Sequence, residues 1–168
     1  MSKEDVIIKG VTVKYKGSFD LSLLYKNLNE WLVREKFSDT IQEGEKKYAE
    51  KIKPDGKQIE ILWETSRNLE AGYFKIVIGI SFFLNGINEV ELEREGKRIK
   101  LENGEIELNF VSKIIRNADN KWKENSLIFN LYEKHIIKDK IESVKIECYR
   151  DTNKLIDEAK NFFNLYKL

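Results

Sequence analysis

The chain has 168 residues, of which 41% are hydrophobic and 35% are charged. This composition is typical of a folded protein and excludes a disordered chain, and the length suits a single domain over residues 1–168. The 30 basic and 29 acidic side chains leave a net charge of +1. Charges of both signs are interspersed along the chain, so the composition carries no strong nucleic-acid signal.

The residue types that form disulfides and metal sites are almost missing. Cys148 is the one cysteine and His135 the one histidine, so the chain has no internal disulfide and no zinc motif. No segment reaches the ~20 apolar residues of a membrane helix, and the first ten residues have too short an apolar run for a secretory signal. We therefore expect a cytoplasmic protein with no membrane span, metal or cofactor, and the sequence indicates no catalytic residue.

Residues that break helices are confined to the first 104 positions, which hold all nine glycines and the one proline. This asymmetry predicts strands joined by tight turns, followed by helices. Alternating apolar residues over 11–15 predict a first strand, and Gly10 marks a bulge at its start. Asp20 is a suitable N-cap for an amphipathic helix over residues 21–36.

The middle of the chain predicts an antiparallel meander of six strands. The strand over residues 73–84 is the longest and is apolar enough to be central. Turns are expected wherever glycine follows a residue that favours a reversal of the chain. These positions are Pro54–Gly56, Ala71–Gly72, Asn85–Gly86, Glu95–Lys97 and Asn103–Gly104.

Two patterns agree on the register of the hairpin around Gly96. Leu92 falls opposite an apolar residue whether the loop is 95–96 or 96–97, and Glu93 falls opposite a basic residue on the other face. We therefore interpret the alternating glutamates as a solvated charge ladder rather than a metal or acid–base site. They are Glu89, Glu91, Glu93 and Glu95, with Arg98 and Lys100 as their counterparts.

Residues 141–166 allow two interpretations. Val144, Ile146 and Cys148 alternate as in a strand, but apolar residues also recur every three or four positions from Ile141 to Tyr166, which is the period of a helix. We predict one long helix because nothing interrupts the stripe. Its length of roughly 40 Å would match that of the strand over residues 73–84.

A further helix is predicted over residues 122–138, with Asp119–Asn120 as its N-cap. Its apolar stripe includes Leu127, Ile128 and Leu131, and we expect this stripe to cover the sheet. The alternatives are that the stripe docks on a membrane surface or on a partner helix.

The order of strand, helix, meander and long C-terminal helix resembles the helix-grip fold of START and Bet v 1-like proteins. In that fold a curved sheet wraps the last helix and often leaves an apolar cavity. The fold class is therefore α+β, with an antiparallel sheet packed on a long C-terminal helix. Residues 59–64 with Arg67, and residues 121–124 with Ser126, also resemble a family of small archaeal proteins, which would imply an archaeal cytoplasmic protein.

Several polar and aromatic residues lie on strand faces that otherwise point to the core. If the sheet curls around the helix, they meet in one cavity, where a buried Glu–Arg pair would mark a binding site. If the strand ends leave the core instead, Glu50 and Arg67 are exposed. The ligand-binding candidates are Tyr48, Glu50, Trp63, Thr65, Arg67 and Ser112.

Three functions follow from these features. The first is a non-enzymatic binding module whose sheet–helix cleft accepts an apolar small molecule or a peptide. The second is a protein or RNA interaction module that uses the basic hairpin Lys46–Lys57, although lysines there are also typical of a protected edge strand. The third is an enzyme with a dispersed acid–base site around Glu50 and Arg67. A cavity of ~300 Å³ or more would favour the first or the third over the second.

Overall fold

The structure is a computed structural model that describes residues 2–37, 44–121 and 126–167. Five strands in this part of the chain form one antiparallel sheet of order β1-β5-β4-β3-β2. They are β1 (Lys3–Phe19), β2 (Glu45–Lys53), β3 (Gly56–Leu69), β4 (Phe74–Arg94) and β5 (Lys97–Arg116). The helices are α1 (Leu21–Arg34), α2 (Leu127–Leu131) and α3 (Lys138–Asn164), with a 3-10 turn at Glu70–Gly72 and a π-helical turn at Tyr132–Ile136.

The long C-terminal helix is confirmed, and with it the α+β fold class. α3 is a single helix that packs on β1, β5 and α1. Its predicted stripe is buried from Ile141 through Val144 and Cys148 to Phe162. The alternative of a strand over 144–149 is wrong, because the helical stripe provides burial over the whole length of the segment.

The first strand and the first helix lie where the sequence predicts them, but β1 extends beyond residues 11–15 at both ends and α1 ends at Arg34. The β1–β5 register shifts between Ile8 and Val11, which places a bulge at Gly10. Asp20 caps α1, since its Oδ1 accepts the Leu23 N–H at 3.0 Å. This bond satisfies one of the backbone donors that a helix start leaves without a partner.

The hairpin between β4 and β5 has the first of the two predicted registers. Leu92 pairs with Ile99 and Glu93 with Arg98. The loop residues Glu95 and Gly96 have φ of 53° and 75°. Two positive φ angles are typical of the type I′ turn, whose twist matches that of paired strands.

The predicted meander of six strands is wrong, because β4 and β5 continue through both Asn–Gly pairs. Between Asn85 and Asn88, two residues of β4 face one residue of β5, which is a bulge. Gly86 lies in this bulge with φ of 62°. Asn–Gly permits the positive φ that a hairpin turn and a bulge both need, so the same dipeptide predicts either.

A row of four glycines crosses the sheet at this bulge. Gly17 pairs with Gly104 across β1 and β5, a Cβ on Gly104 would lie 2.8 Å from the Gly86 oxygen, and a Cβ on Gly56 would lie 2.7 Å from the Gly86 carbonyl carbon. Beyond this row β1 and β3 end their pairing, and β4 and β5 continue alone over residues 88–101. We call this two-stranded projection the arm.

The expectation that the stripe of the preceding helix covers the sheet is wrong. Leu127, Ile128 and Leu131 are 82%, 68% and 57% exposed, whereas Phe129 is fully buried. The face that carries Phe129 packs inward and removes its aromatic ring from water. α2 begins after Ser126, whose Oγ accepts the Phe129 N–H at 3.0 Å.

The predicted start of that helix at Trp122 lies outside the described residues. Among the helices of the described ranges, none is both long enough and apolar enough to span a membrane.

Gly104→Ala tests the dependence of the sheet on its glycine row. A Cβ there would lie 2.7 Å from Ile87 Cδ1 and 2.9 Å from the Asn85 oxygen, so we expect a loss of about 2 kcal/mol in the free energy of unfolding. Urea denaturation measures this loss. In the control, Gly10→Ala, the new Cβ meets the end of the Asn109 side chain at 3.2 Å, which can move. Equal effects of the two substitutions would contradict the role of the row.

Candidate functional site

A cleft of about 590 Å³ opens between the arm, β1 and the residues that follow α3. The arm contributes Leu92, Ile99 and Leu101, and Leu165 lies on the other side. Leu92 is 48% exposed and Leu165 is 76% exposed. Three other hollows formed by described residues measure about 290, 360 and 210 Å³. Among these four hollows, the cleft has the largest volume, and its apolar walls are accessible.

Tyr15 and Tyr166 connect β1 to the end of α3 beside the cleft. The Tyr15 ring stacks on Phe163 with a centroid distance of 4.9 Å and an interplanar angle of 14°. Its hydroxyl lies 3.1 Å from the Ser18 carbonyl oxygen and 3.3 Å from that of Tyr166, and donates to them. Burial raises the pKa of Tyr15 above its ordinary value. A neutral phenol thus holds this wall of the cleft in place.

The polar groups at the cleft are mostly engaged within the protein. Asn103 Nδ2 donates to Ser18 Oγ at 2.7 Å, and Asp20 is occupied as the N-cap of α1. Arg94 differs from them, because no hydrogen bond or ion pair joins it to another residue in the described ranges. The cleft thus combines apolar walls with one available guanidinium.

Charges around Tyr166 act in opposite directions on its hydroxyl. Burial raises the pKa of Tyr166, and the negative charge of Asp20 adds to the effect. A hydrogen bond from the Asp20 backbone and the positive charge of Arg94 lower this pKa by less, so the net direction is upward. Tyr166 therefore remains a neutral group at physiological pH, and Asp20 and Arg94 are the charged groups that act on it.

The six sequence-predicted site residues do not line this cleft. Tyr48 and Glu50 lie on β2, where Tyr48 donates to Glu50 Oε2 at 3.3 Å and Lys57 pairs with Glu50 Oε1 at 3.1 Å. Glu50 lies opposite Ile59, and Arg67 is eight residues further along β3, or about 26 Å at ~3.3 Å per residue. The structure therefore brings Tyr48 and Glu50 together and keeps Arg67 apart from them.

Arg67 instead joins β3 to two helices. Its Nη1 donates to the Glu35 carbonyl oxygen at 2.8 Å, and its Nη2 reaches Glu147 Oε1 at 2.7 Å and Asp151 Oδ2 at 2.6 Å. The guanidinium carbon also lies 4.3 Å from the ring centroid of Phe37. These bonds attach α3 and the end of α1 to the sheet, so the arrangement is typical of a structural clamp.

Thr65 and Ser112 are buried in the sheet. Thr65 Oγ1 donates to the Ile78 carbonyl oxygen at 3.2 Å. Ser112 faces Cys148 on α3, where burial raises the pKa of the thiol and the Ser112 hydroxyl lowers it by less. A buried thiol with a raised pKa has little thiolate and is therefore unreactive.

A carboxylate that the sequence analysis missed lies beside Trp63. Glu45 Oε2 accepts the Tyr25 hydroxyl and, at 3.4 Å, the Trp63 Nε1–H. The Tyr25 and Trp63 rings meet edge to face at 4.6 Å. Glu45 stands among charged residues without an alternating pattern, so no sequence signal distinguishes it from a surface glutamate.

A second, partly buried ion cluster holds the π-helical turn against the sheet. Arg116 lies 2.8 Å from Asp5 and 3.3 Å from Glu133, and Lys3 lies 3.1 Å from Glu133. Tyr73 donates to Glu133 Oε1 at 3.0 Å, and its pKa is raised by burial and then by this bond. In the described ranges no three His, Cys, Asp or Glu residues are grouped so that they could hold a metal ion.

The basic hairpin contains internal ion pairs. Lys47 lies 2.7 Å from Glu60, and Lys57 pairs with Glu50. β2 is an edge strand, where lysines commonly prevent pairing with another chain. The unpaired positive charge of the Lys46–Lys57 hairpin is therefore smaller than its lysine content indicates.

Comparisons with known proteins do not assign a family. No protein-family model matches the chain, and no curated protein matches it. A solved structure of a protein of unknown function, SA2116 from Staphylococcus aureus, aligns over 98% of this chain and 96% of its own. The sequence identity is 11% and the TM-score is 0.31.

Removing the Arg67 clamp should destabilise the fold. Arg67→Met removes the closer partner of the Asp151 carboxylate, which is 7% exposed, and leaves it only Arg150 at 3.6 Å, so we expect a loss of about 3 kcal/mol in the free energy of unfolding. Urea denaturation measures it. The control Lys47→Met breaks a pair whose side chains are 54% and 41% exposed and should cost less than about 1 kcal/mol. Similar losses would show that Arg67 is not a clamp.

Tyr25 should make stability depend on alkaline pH. Burial, followed by the hydrogen bond and charge of Glu45, raises its pKa from 10.0 to about 12. In this interval the unfolded chain releases a proton that the folded chain keeps, so stability is fully present below pH 10 and falls as pH rises towards 12. The difference in tyrosinate absorbance between the wild type and Tyr25→Phe should have its midpoint near pH 12.

Glu45→Gln provides the control for this titration. It removes the carboxylate but not the burial, so the Tyr25 midpoint should fall and yet stay above 10.0. A wild-type midpoint at 10.0 would disprove the contact between Tyr25 and Glu45.

Proposed function

We propose that this protein is a non-enzymatic binding module that accepts an apolar small molecule or a peptide in the cleft between the arm and the end of α3. The observation that carries the proposal is the volume of about 590 Å³ behind exposed apolar walls. Pockets of 300–1,000 Å³ with apolar walls and few polar groups are typical of small-molecule sites.

The exposed walls add a second line of support. Leu92, Ile99 and Leu165 are 48%, 37% and 76% exposed and surround one hollow rather than being scattered over the surface. Contiguous exposed apolar surface is costly in water and commonly marks an interaction site. A ligand that covers these side chains would gain the free energy of removing them from water.

The proposal also retains the expected cytoplasmic location. Cys148 is a buried free thiol, which is the usual state of cysteine in a reducing compartment. The resemblance to the helix-grip fold remains a prediction from the order of the elements.

Binding of the neutral dye Nile red tests the proposal. Its fluorescence should rise in the presence of the wild-type protein, and Ile99→Asp should weaken binding roughly tenfold or more, because the charge would lose water when the cleft is filled. Fluorescence titration gives the dissociation constants.

Leu62→Asp is the matched control. Leu62 has nearly the same exposure as Ile99, 40% against 37%, and it also lies on a strand, but it is not part of the cleft. Its substitution should leave Nile red binding unchanged. Equal weakening by both substitutions, or no binding by the wild type, would refute the proposed site.

A further inference from the structure

We propose that the ligand of the cleft is an amphiphile with one anionic head group, whose apolar chain lies against Leu92 and Ile99 and whose head pairs with Arg94. This inference rests on the proposed function, because it names the ligand class of the same cleft.

The first argument is that, among the described residues that line the cleft, Arg94 is the one cation. Five of the six polar side chains there already have a hydrogen-bond partner within the protein, and none of the five carries a positive charge. The five are Tyr15, Ser18, Asp20, Asn103 and Tyr166. Arg94 is the sixth, and within the described residues no ion pair or hydrogen bond occupies it. A guanidinium has donors only, so its natural partner is an anion.

The second argument is the position of the positive charge relative to the apolar wall. Leu92 and Arg94 are two residues apart on β4, so their side chains lie on the same face of the arm. Lys97 pairs directly with Arg94 across the ladder and adds a second positive charge on this face. The apolar wall thus ends in cations at the tip of the arm, as an amphiphile with a negative end requires.

The carboxylate of Asp20 does not cancel the preference of the cleft for an anionic ligand. Asp20 accepts the Leu23 N–H at the N-terminus of α1, and the partial positive charge of a helix N-terminus offsets its carboxylate. Arg94 lies at the end of β4, on the arm, which contains no helix. The positive end of the cleft is therefore at the arm.

The head group is defined by its chemistry, an oxyanion on an apolar chain. A guanidinium forms paired N–H···O bonds with carboxylates and phosphates alike. Both classes are therefore included in the test, and a neutral and a cationic amphiphile with the same chain serve as references.

Displacement of Nile red from the wild-type protein by decanoate, decyl phosphate, decanol and decylammonium tests the inference. The two anions should bind about fivefold more tightly than decanol, since an exposed ion pair contributes on the order of 1 kcal/mol. Decylammonium should bind no better than decanol. The advantage of the anions should shrink as salt is added, and the better of the two anions identifies the head group.

Substitutions on the arm assign the effect to one side chain. Arg94→Gln should remove most of the advantage of the anions, because only Lys97 then remains on this face, and should leave decanol binding unchanged. Arg94→Lys should keep a larger part of the advantage. The matched control is Arg98→Gln, which removes the same charge from the opposite face of the arm, where Arg98 pairs with Glu93. This control should leave the advantage intact.

The outcomes separate the inference from the proposed function. Equal binding of the anions and decanol, or an advantage that is undiminished in Arg94→Gln, overturns the assignment of the head group and leaves the cleft as a binding site. Failure of all four compounds to displace the dye, together with unchanged Nile red binding by Ile99→Asp, refutes the cleft itself and the inference with it.

Discussion

The close approach of backbone to backbone along the glycine row is the constraint on which the sheet depends. At Gly104 the carbonyl oxygens of Asn85 and Gly86 occupy the space that a Cβ would need. This approach allows β4 to take an extra residue without losing its pairing with β5. Bulges bend a strand and increase its twist. The 21 residues of β4 and the 20 residues of β5 therefore form a wall of the core on one side of the bulge and the arm on the other side.

The extra residue also changes which positions of β4 are buried. From Ile80 to Leu84 the buried positions of β4 are even-numbered, whereas Ile87 is the next buried position after them. Alternation has a period of two, so one inserted residue shifts every later side chain to the other face. The arm thus has an apolar face, with Leu92 and Ile99, that the core does not cover. The cleft is a consequence of this shift.

The parts of the fold that local patterns could predict are those in which one periodicity runs without interruption. α3 follows from a stripe free of glycine and proline, and the register of the arm follows from two faces that agree. Asn85–Gly86 could not be assigned from sequence because turn and bulge need the same backbone angles. The choice between them is made by β5, which pairs with β4 on both sides of the bulge.

The site was harder to predict because it depends on contacts between distant parts of the chain. Alternation assigns a face to Glu50 but does not say where the strand leaves the core. The partner of Arg67 at Glu147 is 80 residues away and has no local signature. The sequence predicts Leu92 opposite Ile99 or Leu101, but only the packing of α3 brings Leu165 to the same hollow.

Some charged side chains of the protein are paired within the fold, and others are not. The paired side chains contribute to stability, whereas an unpaired one can bind a ligand. The guanidiniums of Arg67 and Arg116 are surrounded by carboxylates and hold α3 and the π-helical turn on the sheet. Removing a partner from such a cluster leaves a buried charge uncompensated, so these residues are not free to exchange partners with a ligand. Arg94 lies on the arm, outside both clusters. A ligand can therefore pair with it and leave again without disturbing the contacts that hold the helix on the sheet.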